Sequence, residues 1–236
     1  MHIYFRNADT NLHNIEQIQS VGNPILLINA KHDSTSSKQR STEHTQHLPA
    51  RIYLCRGAKI MLLRNISTVN GLVNGSTGTV IDFLYEDAQT ALNLPYSILI
   101  NFPDYNGTPF FTAPGQEKWV PILNERYSWG ENNQNYRISF PITLCDAITA
   151  WKSQGMTLTV PVYTKLGNKE PEHGCTYVVL SRPKDLENLC ILNGITLDRI
   201  TTAISNGKKL KRRLKEDNRL QDLYQQTREL FMHVFL

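Results

Sequence analysis

An α/β layer interrupted by a small antiparallel barrel is the fold this sequence predicts, and three observations predict it. A strand, a helix and a second strand follow one another at the start of the chain, between Ile3 and Ile28. From about residue 52 to 128 the chain then breaks into short β-type runs separated by Asn, Gly and Pro clusters. After that stretch, helical spacing and strand-like runs alternate again. At 236 residues the chain is long enough for one large domain or two small ones with a substantial core.

Ile3-Tyr-Phe5 is a short β-type run, and Asp9-Thr10 can cap a helix that carries Leu12, Ile15 and Ile18 on one face until Gly22 stops it. Pro24 to Ile28 reads as a buried strand, completing the α/β rhythm. Between Lys31 and His47 the chain turns polar and loses periodicity, which predicts a loop or crossover. His44 and His47 have metal-compatible spacing, but their Ser/Thr/Gln-rich surroundings favour a solvated loop.

Lys59 to Arg64 and Thr79 to Leu84 are strand candidates flanking Asn70-Gly71, Asn74-Gly75 and Gly78, residues that favour hairpin turns with positive φ. Ser97 to Ile100, Phe110-Phe111 and Lys118 to Val120 continue the series of short strands. Further on, Leu144, Ala147, Ile148 and Trp151 recur at i, i+3, i+4, i+7, so the spacing predicts a helix that ends at Gly155 as a left-handed cap. That helix would leave Thr149, Lys152 and Ser153 on a polar edge and Trp151 on the apolar stripe, where core packing or base stacking is open to it. Thr157 to Tyr163 and Leu189 to Leu192 read as strands. By local propensity Tyr177 to Leu180 reads as a strand too. The tail from Lys208 reads as an amphipathic helix.

Composition limits the function classes. Forty percent hydrophobic and nineteen percent charged residues describe an ordinary folded protein, and no run approaches the roughly 18 apolar residues of a membrane span. The N-terminus is too short and too soon polar for a secretory signal, so an intracellular setting is expected and membrane partners are not. Cys55, Cys145, Cys175 and Cys190 form no C-x-x-C pair and sit mostly in apolar runs, which predicts buried free thiols. The Asn-x-Ser/Thr sequons at Asn65, Asn74 and Asn106 therefore read as turn asparagines. A net charge of +4 is mild, but Lys208, Lys209, Lys211, Arg212, Arg213 and Lys215 crowd together. That cluster fits a nuclear address, a phosphate contact or a solvated helix face.

Three stretches in order resemble the C-terminal half of Pif-type, RecD-like superfamily-one DNA helicases. They are Gly57-Ala58 through Gly78-Thr-Val80, then Ala147-Ile-Thr149 with Lys152-Ser-Gln-Gly155 and Thr157-Leu158, and last Tyr177-Val178 with Leu180-Ser-Arg182. Asn7-Ala-Asp9 and Asn14 also fit, and the likeness runs from about residue 3 to 195. Ala150-Trp151 departs from the family, where a bulky aliphatic residue and a histidine are usual.

The resemblance implies part of a second RecA-like, P-loop NTPase-like domain with an inserted Src-homology-three-like β-barrel. On that reading residues 1–50 and 141–200 are the two parts of the RecA-like domain, 51–140 the barrel and 201–236 a basic helical tail. It implies a helix at Tyr177 to Leu180 in place of a strand. It also implies that Arg182 is an arginine finger toward ATP, that Gly155 lets backbone amides approach the phosphates, and that Thr149, Lys152 and Ser153 contact single-stranded DNA during 5′-to-3′ movement. Nuclear localisation, or another DNA-containing compartment, follows from the same resemblance.

The phosphate-cradling pattern G-x-x-x-x-G-K-[ST] is not in the sequence. Glu86-Asp87 lies in the barrel stretch, out of place for a metal-holding acidic motif. ATP and Mg²⁺ are thus expected to be held by a separate or missing ATP-binding half, with this chain a C-terminal portion that is inactive as an ATPase alone. A non-catalytic DNA-binding protein or a protein-interaction module derived from a helicase is the rival expectation.

Overall fold

A computed structural model describes residues 1–85, 94–172, 174–197, 199 and 208–231. By internal contacts the chain divides into two compact units, Met1–Thr149 and Ala150–Leu236. The first runs β1 (His2–Tyr4), α1 (Asn7–Ser20), β2 (Leu26–Asn29), β3 (Lys31–His32), α2 (Thr35–Gln39), β4 (Arg51–Leu54), β5 (Lys59–Leu62) and β6 (Thr77–Leu84). It continues with β7 (Ser97–Asn101), β8 (Trp119–Leu123), β9 (Glu125–Trp129), β10 (Asn135–Ser139), β11 (Ile142–Leu144) and β12 (Ala147–Thr149). The second contains β13 (Val162–Thr164), α3 (Cys175–Leu180), β14 (Leu189–Ile191) and α4 (Lys208–Phe231).

The helix expected from Leu144 to Gly155 does not form. Its residues instead make β11, β12 and a run of turns from Ala150 to Gly155. The apolar spacing that suggested a helix is shared by two short buried strands, and Ile142, Thr143, Ile148 and Thr149 are β-branched. Tertiary partners decide between them. β12 lies parallel to β1, with Ile3 opposite Ile148, and β11 lies antiparallel to β5. From α1 the Asn14 amide donates to the Ala147 carbonyl at 3.0 Å and accepts from the Ala147 N–H at 2.7 Å, completing the outer edge of β12 as a strand would.

β1 and β12 are parallel neighbours although almost the whole first unit lies between them in sequence, and what lies between is antiparallel. One sheet has the order β11-β5-β6-β7-β8, a second β3-β10-β9, and a third pairs β2 with β4. The strand expected at Pro24 to Ile28 forms as β2, but it joins β4 antiparallel and so departs from the α/β rhythm. Core side chains include Ile28, Leu54, Ile60, Ile98, Ile100 and Phe140, all buried. Gly71 and Gly75 have the positive φ expected of turn glycines, 79° and 98°, whereas Gly78, read with them as a turn residue, lies inside β6.

α1 starts earlier than the Asp9-Thr10 cap predicted, with Arg6 as N-cap residue and Asp9 in the first turn accepting from Arg6 at 2.8 Å. The polar Lys31 to His47 stretch holds β3, α2 and a 3₁₀ turn at Glu43–Thr45. Arg137 organises it. Fully buried on β10, its guanidinium donates to the carbonyls of Ser37, Arg40 and Leu48 and to the Thr45 hydroxyl, at 2.7 to 2.9 Å. Phe110-Phe111, read as a strand, forms none. Glu86-Asp87 lies outside the described residues.

In the second unit β13 and β14 pair in parallel, Val162 opposite Leu189, with α3 in the crossover between them. The 177–180 run is helical, as the family resemblance implied and propensity did not. All four cysteines are free, and Cys55, Cys145 and Cys175 are buried while Cys190 is exposed, a departure from the expectation for that one. Burial pushes the Cys145 thiol up to about 12. No described helix is long and apolar enough to cross a membrane.

Candidate nucleic-acid and nucleotide interface

Within the second unit, two stretches far apart in sequence converge on one side chain. Arg182 follows α3 directly, and its Nε donates back to the Val178 carbonyl at 2.8 Å. Nη1 reaches the turn after Ala150, donating to the Met156 carbonyl at 2.9 Å and to that of Ser153 at 3.5 Å. Nη2 donates to the Ser181 hydroxyl at 2.9 Å. The main chains run together as well, with the Leu158 N–H on the Arg182 carbonyl and the Lys184 N–H on the Leu158 carbonyl, both at 2.9 Å. Arg182 and Gly155, separate in sequence, are therefore parts of one local structure.

Gly155 sits at φ +81°, and a Cβ there would meet nothing within 4 Å. Glycine is favoured by the left-handed backbone, not by lack of room. Ser153 is fully buried, and its hydroxyl donates to the Ala150 carbonyl at 2.8 Å. The expectation that this hydroxyl lies on an exposed helix edge is corrected: there is no helix, and the group closes a turn. Lys152 is half-buried, and loss of water around it lowers its pKa from the ordinary lysine value. Thr149, in the first unit, is half-buried at the end of β12 opposite Tyr4.

Trp151 is also corrected. It is 47% exposed instead of packed in the core. With Gln154, Tyr177 and Arg213 it lines a cavity of about 370 Å³ within the second unit.

Residues that the sequence reading did not single out hold α3 in place. Glu170 accepts the Thr176 N–H at 2.6 Å in the first turn of α3, where a carboxylate also meets the positive end of the helix. Arg199, largely buried, donates to the Gly167 carbonyl at 2.9 Å and the Thr176 hydroxyl at 2.8 Å. Neither has a local pattern to mark it, because each is defined by a partner more than five residues away. Among the described residues no group of three or more His, Cys, Asp or Glu is placed to hold a metal ion.

Comparison with known proteins shows what the chain is similar to. The description "DNA helicase Pif1, 2B domain" matches residues 44–83. Over part of its length this chain is similar to Pif-type DNA helicases. Its relatives include the ATP-dependent DNA helicase PIF7 of Trypanosoma brucei brucei, 32% identical over 162 residues, covering 62% of this chain and 16% of that one. The ATP-dependent DNA helicase PIF1 of Xenopus laevis is 34% identical over 142 residues, covering 60% of this chain and 19% of the other. The match thus spans less than a fifth of either relative. Among solved structures, the Pif1 helicase from Candida albicans superposes with a TM-score of 0.67 at 22% identity, over 91% of this chain and 49% of that one. Bacteroides Pif1 bound to single-stranded DNA gives 0.60 at 22%, over 92% and 46%. At these identities the structural likeness establishes the fold: the α/β architecture of Pif-type helicase domains.

Proposed function

We propose that this chain is the C-terminal portion of an ATP-dependent 5′-to-3′ DNA helicase, contributing single-strand contacts and an arginine finger to a nucleotide held by another half. The observation that carries this reading is the convergence of Arg182 on the turn around Gly155. One residue ties the end of α3 to the segment that follows β12, so a movement of either is felt by the other. Similarity to helicases solved with single-stranded DNA and with ADP-AlF4 supports the same assignment. The antiparallel sheets between β1 and β12 serve, on this reading, as the inserted Src-homology-three-like barrel.

Hydrolysis of ATP spreads negative charge over the equatorial oxygens of the γ-phosphoryl group. Arg182 would exchange its carbonyl contacts for those oxygens, and charge-assisted bonds to phosphate are stronger than bonds to neutral carbonyls. Gly155 keeps the adjoining backbone free of a side chain. Lys152 and Thr149 supply phosphate contacts that tolerate any base sequence. Ser153, closed onto Ala150, shapes the turn that carries Lys152. ATP with Mg²⁺ would be bound by a P-loop half, whose signature this sequence does not contain.

The strand contact is tested on the chain as it stands. Fluorescence anisotropy with a labelled oligonucleotide over a series of salt concentrations should show Lys152→Ala binding more weakly, with the salt slope reduced by roughly one unit. An unchanged slope would remove Lys152 from the interface.

The occupied fork of Arg182 also fits a second reading, a helicase-derived nucleic-acid-binding module without catalysis. On that reading Lys152→Ala still weakens binding, while Arg182 only fastens the turn to α3.

A further inference from the structure

The sheet β3-β10-β9 has an open face that nothing above uses. Its register places Lys31 opposite Ile138, Ile138 opposite Arg126, and Tyr136 opposite Ser128. Because side chains alternate across a strand, these five residues share one face, and Arg137, Tyr127 and Trp129 lie on the other. None of the five is buried; Lys31 and Arg126 are exposed. The Arg126 guanidinium lies over the Tyr136 ring, 4.2 Å from its centroid, and its Nε donates to the Ser128 hydroxyl at 3.2 Å. A planar cation, Arg126, therefore covers the Tyr136 ring, and a second cation, Lys31, stands on the same face opposite Ile138.

The sheet is also well fixed. On the reverse face Arg137 is anchored by the 37–48 segment, Trp129 is stacked on Tyr127 and covered by Arg40 at 4.9 Å. At the edge, the Asp33 carboxylate accepts the Tyr136 N–H at 2.6 Å and holds β10 beside β3. A rigid platform loses little freedom when a flexible strand is laid on it.

We propose that this face is a stacking site for single-stranded nucleic acid, separate from the Lys152 turn. An unpaired base presents a π-face that stacks on a tyrosine ring or on a guanidinium plane, and its flanking phosphates need nearby cations. Tyr136 with Arg126 provides the first, and Lys31 with Arg126 the second. An acidic peptide would use the cations but not the ring, and duplex would keep its bases inside the helix. The occupant is thus an unpaired strand, of either sugar, since stacking does not consult the 2′ position. The assignment deepens the nucleic-acid reading above and rests on it.

The test uses the full chain with a labelled single-stranded DNA oligonucleotide, its RNA counterpart and a duplex of the same length. Tyr136→Ala should weaken binding of both single strands by about 5-fold or more and duplex binding much less. Tyr136→Phe, which keeps the ring, should bind as the parent does and shows that the fold is intact. Arg126→Ala should weaken binding and lower the salt slope by roughly one unit. Equal affinities for Tyr136→Ala and the parent, or an equal loss with duplex, would overturn the stacking site. Loss of binding in Lys152→Ala with none in Tyr136→Ala would sink this proposal and leave the preceding one standing.

Discussion

At the scale of single residues, charge is managed by backbone as often as by opposite charge. Arg182 and Arg137 both donate to carbonyls or hydroxyls, and among the described residues neither forms a salt bridge. Asp33 is the acidic counterpart. The backbone N–H of Tyr136 and the hydroxyls of Ser37 and Ser34 hold its carboxyl at about 2, below its ordinary 3.8. Because the folded-state pKa is depressed, the stabilisation is fully present above 3.8 and is lost as pH falls toward 2. Asp33→Asn should therefore flatten the stability–pH profile in that window. A denaturation series whose pH dependence is the same in mutant and parent would mean that the contact contributes nothing. The residue-level reading of Ser153 failed because a serine's exposure depends on which atoms close over it, and its sequence neighbours are silent about that.

At the scale of elements, turn glycines were legible and the helix–strand choice was not. Gly78 lies in β6 where a Cβ would come within 2.6 Å of the Ile100 side chain and 2.8 Å of the Asn101 carbonyl. Gly78→Ala should therefore destabilise the first unit by about 1–3 kcal/mol, through overpacking between β6 and β7. Urea unfolding will measure it, and a midpoint equal to the parent's would mean that the strands yield freely. Two elements show where local pattern ran out, one misjudged and one read as a helix only through the family resemblance. Ala147 to Thr149 had helical spacing but became β12, since β1 and the Asn14 amide were waiting on either side. Tyr177 to Leu180 had strand propensity but became α3, since Glu170 and Arg199 anchor its first turn. In both, a few hydrogen bonds from distant residues outweighed preferences worth only tenths of a kcal/mol per residue.

At the scale of the whole molecule, the proposed division of labour makes catalysis a property of two halves. Joined to an ATP-binding half that carries a phosphate loop, Arg182→Ala should lower ATP turnover by about 10³- to 10⁵-fold while leaving single-strand affinity nearly unchanged. Similar turnover in the two proteins would take Arg182 out of the mechanism and favour the non-catalytic reading. By itself the sequence determined the motif order, the antiparallel character of the middle, the positive-φ turns and the likeness to Pif-type helicases, because each is written in residues close together along the chain. The tertiary structure alone decided that β1 and β12 pair across the antiparallel insertion and that Arg182 meets the Gly155 turn. It also decided that Tyr136, Arg126 and Lys31 share a face, because such contacts depend on strand register between distant segments, which local propensity does not encode.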